Sequence, residues 1–270
     1  MLTSLFTGTS ALNTFTKGME VIGNNVANVN SLGFKSMRPE YSDDFYNTYL
    51  KNDYTETSGA PGNLVGSGTR LANVSSNFNQ GTVHETGLDT DLAIHGKGFF
   101  QVRDPGSADE DFSTLFTRSG NFNFDASGNL VTSEGYIVQG SDGDVVVEDL
   151  QLADTFRFEN DGSLRVLFPD GTEEVQQVFL TDFRVPDKLD RVGDGYFSNK
   201  GNLASQIDAG LVAPTTEGTG EIIPYALELS NVDLTGEFAN IIANQRSFQA
   251  GARVITVSDT MYSEAVNLKR

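Results

Sequence analysis

Apolar residues recur at both ends of this 270-residue chain with the alternating three-and-four spacing of a single helix face. In the first stretch Leu5, Leu12, Phe15, Met19, Ile22, Val26 and Val29 fall at the a and d positions of heptads. In the second, which opens at Leu234, the series is Phe238, Ile241, Gln245, Phe248, Ala252, Ile255, Tyr262 and Val266, broken by Asp259 where an apolar residue is due. A stripe this narrow is a seam for another helix. Two such seams at opposite termini predict one paired-helix domain that carries the rest of the chain as an insertion. Periodicity does not name the partner, so the alternative is two amphipathic helices packing separately on one globular core. The first helix is predicted from about Thr3 to Asn28, with Thr3 as cap and Gly33 just beyond its end. Ser230 and Asp233, three residues apart, resemble a capping box opening the second.

Between the seams the pattern changes twice. Residues 30–71 are dense in Asn, Ser, Gly, Asp and Tyr, and Ser58-Gly59-Ala60-Pro61-Gly62-Asn63 reads as extended loop or short hairpin. From about Val74 to Leu229 short apolar runs such as Phe99 to Val102, Leu130 to Thr132 and Leu164 to Phe168 alternate with turn signals. Asp142-Gly143, Asp161-Gly162, Asp170-Gly171 and Asp194-Gly195 are the hairpin candidates, because glycine supplies the positive φ of a tight turn. The stretch from Leu203 to Pro224, rich in Gly, Thr, Ala and Ser, reads as an irregular return path. The expected fold is α+β. Terminal helices over 1–30 and 231–270 pair as a coiled-coil-like core domain, an extended linker spans 31–73, and a mainly antiparallel all-β outer domain is inserted over 74–230.

Charge sharpens this division. The net charge is −19. The first 40 residues carry Lys17, Lys35 and Arg38 against Glu20 and Glu40. The last 40 carry Arg246, Arg253, Lys269 and Arg270 against Asp233, Glu237, Asp259 and Glu264. The excess acid therefore lies in the middle, which argues against nucleic-acid or anionic-membrane partners and suits a solvated outer surface. Near-neutral ends can pack densely against copies of themselves. No run approaches the roughly 20 apolar residues of a membrane span, and Met1 to Thr16 lacks the order of a cleaved signal peptide.

Candidate chemistry is sparse. The absence of cysteine excludes disulfides, thiol catalysis and thiolate metal sites. His84 and His95 have strand-like flanks and too few companions for a zinc site. Gly-x-Ser-x-Gly is absent, Asp125-Ala126-Ser127-Gly128-Asn129 does not complete a calcium loop, and Gly96-Lys97-Gly98 lacks the spacing of a phosphate loop. These residues imply no enzyme, cofactor or metal. The polar feature that stands out is Asn24, Asn25, Asn28 and Asn30: either a fraying helix end or side chains that fix register where the helix turns.

Gly23-Asn24-Asn25-Val26-Ala27-Asn28-Val29-Asn30 with Gly33-Phe34-Lys35 resembles the N-terminal signature of flagellar rod and hook proteins. Ser230-Asn231-Val232-Asp233-Leu234 with Gln245-Arg246-Ser247-Phe248-Gln249 is similar to their closing signature, and Leu92 to Val102 to their central motif. The resemblance implies a structural subunit that assembles into a homopolymer, exported through the flagellar type III apparatus. It implies rod proteins, hook–filament junction proteins and the hook cap as partners. The chain ending Val266-Asn267-Leu268-Lys269-Arg270 resembles hook proteins. The short length and the segment Glu40 to Arg70 are more like distal rod, and the sequence alone leans towards the extracellular hook over the periplasm-spanning rod. A reading of another class is an acidic extracellular β enzyme or carbohydrate-binding module with helical ends.

Overall fold

The computed structural model describes residues 2–48, 64–106, 114–140, 143–147, 155–199, 213–214 and 219–268. They divide into two units.

The first unit comprises residues 1–27, 37–77 and 233–270. Its N-terminal helix α1 spans Leu2–Ala27 and its C-terminal helix α2 spans Leu234–Asn267. Threonine is a poor helix residue because its hydroxyl competes for backbone, and here that competition is settled within the helix. Thr7, Thr9 and Thr16 donate back to the carbonyls of Thr3, Leu5 and Leu12 at 2.8 Å. Thr3 lies inside the helix and does not cap it. Helix α2 is capped by Asp233, whose carboxylate accepts from the Thr235 N–H at 3.0 Å, so the capping role falls to Asp233 and not to Ser230.

The helices run antiparallel. Ser4 meets Ser258, Gly8 lies against Gly251 and Ile255, and Asn25 meets Glu237. The segment expected as linker also forms structure in this unit. Met37–Asp43 pairs antiparallel with Thr69–Ser76, and Tyr46–Thr48 pairs with Leu64–Gly66. The strand pair is tied to α1: the Thr14 hydroxyl donates to Thr69 O at 2.9 Å and Ser10 Oγ accepts from Thr69 N. Ser58 to Asn63 lies outside the described residues.

The second unit comprises residues 28–36 and 78–232. Every described strand pair in it is antiparallel, and nine described strands join one sheet. Its main path orders Asp190–Gly193, Tyr196–Ser198, Thr114–Thr117, Phe99–Arg103, Ile137–Gly140, Leu130–Thr132 and Phe122–Phe124. Adjacent residues on a strand face opposite sides, so Phe99 and Phe100 enter different cores. Phe100 joins Leu92, Ile94, Phe122, Leu164 and Ile222, while Phe99 joins Phe116, Phe183 and Phe197. Three Asp-Gly turns sit between strands as the sequence suggests: Gly162, Gly171 and Gly195 all take positive φ. Asp142, like most of 203–218, lies outside the described residues.

Candidate assembly surface and its supports

The seam within the first unit is made differently from the stripe in the sequence. On α2 the buried residues are Asn244, Gly251 and Ser258, seven apart, where the apolar pattern placed Gln245, Ala252 and Asp259. Small residues let two helix backbones approach. A Cβ on Gly251 would stand 3.5 Å from Ala11 Cβ, and one on Gly8 would come within 2.6 Å of Ile255 Cγ1. On α1 Ile22 is buried, and Leu5, Leu12, Phe15, Met19 and Val26 are half-buried. Val29 is also half-buried but follows the end of the helix, because Asn28 to Asn30 form turns. On α2 Ile241, Phe248 and Ile255 are half-buried, whereas Phe238 and Tyr262 are 53% and 57% exposed.

That leaves a second apolar surface on α2. Leu234, Phe238 and Ile242 near its start, and Val254, Val257, Met261, Tyr262 and Val266 further along, are all exposed. Leu234, Phe238 and Ile242 are four apart, and Val254, Val257 and Met261 three and four apart, so each of these trios forms a patch on the helix surface. Gln245 and Arg246 are exposed as well.

Two polar nodes hold the chain near the asparagine and Gly-Phe-Lys motifs, one in each unit. In the first unit Asn25 is fully buried at the end of α1. Its amide nitrogen donates to Met37 O at 2.7 Å and Glu237 Oε1 at 2.9 Å, and its oxygen accepts from Met37 N at 2.8 Å. One side chain thus ties three parts of the unit together. Asn24 is exposed, and Asn28 accepts from the Ser31 hydroxyl. Tyr41 adds a second tie: its ring meets Phe15 edge-on at 5.9 Å and lies over Gly18, and its hydroxyl donates to Asn244.

In the second unit the node is ionic. Lys35 and Glu228 are buried, and Lys35 Nζ donates to Glu228 Oε1 at 2.6 Å and to Asn79 O at 3.0 Å. Arg118 contacts the other Glu228 oxygen at 3.3 Å and donates to Gly96 O, with its guanidinium over the Phe99 ring. The Gly81 N–H donates to the same carboxylate. Burial pulls the Lys35 ammonium below its ordinary value, against the opposing pull of Glu228. Gly33 adopts φ +61°, and a Cβ there would come within 2.7 Å of the Arg118 and Ser119 backbone. Phe34 is buried beneath the Arg191 guanidinium, and Asn231 accepts from Ser36 N and donates to Asn79 O. The sequence motifs flag Gly33, Phe34 and Asn231. Their counterparts Arg118, Arg191 and Glu228 carry no local signal, because their partners are remote in the chain.

His84 and His95 are exposed on separate strands, and the described residues contain no cluster of three or more His, Asp or Glu side chains able to hold a metal ion. No helix among the described residues is long and apolar enough to cross a membrane.

Comparison with known proteins agrees with a structural role. Residues 5–35 match the family "Flagella basal body rod protein", 93–172 match "Flagellar hook protein FlgE/F/G D1 domain", and 224–268 match "Flagellar basal body rod FlgEFG protein C-terminal". The chain is 34% identical to the flagellar basal-body rod protein FlgG of Bacillus subtilis and 32% identical to that of Borreliella burgdorferi, over the whole of both chains in each case. It is 38% identical to the flagellar hook protein FlgE of Helicobacter mustelae over 66% of its own length, which covers 37% of that protein.

Proposed function

The chain belongs to the flagellar rod and hook protein family, and from that premise we propose that it is a distal rod subunit of the flagellar basal body that polymerises with copies of itself. The observation that carries this reading is coverage. The rod relatives match from end to end, whereas the hook relative extends well beyond the match. This coverage favours rod over hook, towards which the sequence alone leaned. Family membership makes the chain a structural protein of the flagellum and not an enzyme.

The apolar patches on α2 support self-association. Burying side chains of the size of Phe238, Ile242, Val257 and Met261 is worth about 1.5–3 kcal/mol each, and in the single chain that gain is forgone. A neighbouring copy that covers them without a closing rotation generates an open helical tube. Export through the type III apparatus and placement across the periplasm are part of the same proposal.

Electron microscopy of basal bodies from a deletion strain tests the assignment. Loss of the outer rod is the expected result. Complete rods with hooks missing would establish the hook reading instead.

A further inference from the structure

The segment Gly33–Ser36 is held in the second unit in the way a peptide is held by a receptor. It forms no described strand, and each of its four residues is gripped by a different device. Gly33 donates its N–H to Glu228 O at 2.8 Å and fits where a Cβ would strike backbone. Phe34 lies buried with the Arg191 guanidinium 5.0 Å from its ring centre, and its carbonyl accepts from Asn231 N. Lys35 reaches Glu228 and Asn79 O with its side chain, while its own carbonyl accepts from Arg191. The Ser36 N–H donates to Asn231 Oδ1 at 2.7 Å.

The gripping groups are themselves held by others that do not involve the segment. Glu228 also accepts from Arg118 and the Gly81 N–H. Arg118 is fixed by Gly96 O and the Phe99 ring, Arg191 lies over the Phe197 ring at 5.3 Å, and Asn231 donates to Asn79 O. Removing Lys35 would leave Arg118 and Glu228 as a charge-balanced buried pair, the condition under which a buried carboxylate is tolerated. The slot can therefore stand unfilled.

We propose that the β unit carries a preformed receptor slot for a glycine–aromatic–lysine peptide, and that Gly33–Ser36 is its tethered ligand. Recognition combines a carboxylate for the ammonium, a guanidinium for the aromatic face and backbone-directed bonds for register.

The test uses the full chain carrying both Phe34→Ala and Lys35→Ala, which empties the aromatic and ammonium positions of the slot and leaves its own segment held by backbone bonds alone. A fluorescein-labelled peptide of residues 28–38 is titrated in, read by anisotropy. Saturable binding is expected, weaker by about tenfold or more when the peptide carries Lys35→Gln, and lost when the chain also carries Glu228→Gln. The unaltered chain, its slot occupied, should bind the peptide about tenfold or more weakly than the double variant. Absence of binding to a double variant with native near-ultraviolet dichroism overturns the proposal, as does equal binding to the Glu228→Gln chain. Collapse of the β unit in the double variant also overturns it, since the slot is required to stand without its ligand.

Discussion

Gly8 and Gly251 face each other across the two terminal helices, yet they differ in what a methyl group would meet. At Gly251 the nearest atoms to an added Cβ are at 3.5 Å, ordinary contact. At Gly8 the added atom would sit 2.6 Å from Ile255 Cγ1. Alanine is favoured over glycine in a helix by about 1 kcal/mol, so Gly251→Ala should raise the melting temperature of the helical signal. Gly8→Ala should lower it, with an overpacking cost of about 1–3 kcal/mol outweighing the propensity gain. Thermal unfolding by far-ultraviolet dichroism decides both, and Ile255→Ala should rescue the Gly8 variant.

Asn25 carries a heavier load than its position near a helix end suggests. Alanine there would leave the Met37 N–H and carbonyl and the Glu237 carboxylate without the bonds they now make. The expected cost is about 1–3 kcal/mol for the buried groups left unsatisfied. Because all these groups belong to the first unit, the near-ultraviolet signal of the β unit should be unchanged while helix content and polymer yield fall. A variant that polymerises normally, judged by sedimentation, would show that this node does not fix the assembly-ready state.

What could be read from the sequence follows the range of the interaction. Asp161-Gly162 and Asp194-Gly195 announce turns because the backbone requirement is met locally. The two terminal helices are legible as amphipathic segments. The face that α2 turns towards α1 is not, because Asn244, Gly251 and Ser258 serve it by being small or by hydrogen bonding and not by being apolar. The strands Met37–Asp43 and Thr69–Ser76 escape for another reason. Their pairing spans a long polar insertion, and neither strand alternates cleanly. Glu228 and Arg118 lie far apart in the chain, so their ion pair leaves no spacing to find.

Tyr196 gives the β unit an alkaline weakness. Burial, followed by the bond from its hydroxyl to Glu134, holds the phenol well above its ordinary value of 10.0. The folded state thus keeps the proton where the unfolded chain releases it. The stabilisation is complete below pH 10 and is lost as pH rises towards the raised value. Tyr196→Phe should start from a stability lower by about 1 kcal/mol for the lost hydrogen bond. It should then fall less steeply above pH 10. Chemical denaturation at pH 8, 10 and 11 measures the two slopes, and parallel slopes would mean that another group governs the alkaline transition.

The exposed face of α2 allows assembly to be separated from folding. Val257 and Met261 are 56% and 55% exposed and lie one turn apart, so replacing them by aspartate removes little packing within the chain. The stability of the isolated subunit should change by no more than about 0.5 kcal/mol per site, as is usual for surface positions. In a polymer the same substitutions place unpaired carboxylates in an apolar contact, where desolvation costs several kcal/mol per ion. Since every subunit repeats the same contact along a tube, a penalty of that size recurs at each step of growth and should abolish elongation altogether. Val257→Asp with Met261→Asp is therefore expected to yield a folded subunit that stays small in sedimentation and leaves cells non-motile. Gln249→Asp is the control: it is exposed, lies outside both patches and should alter polymer yield far less. Normal polymers from the double variant would transfer the assembly contact to another surface of the chain.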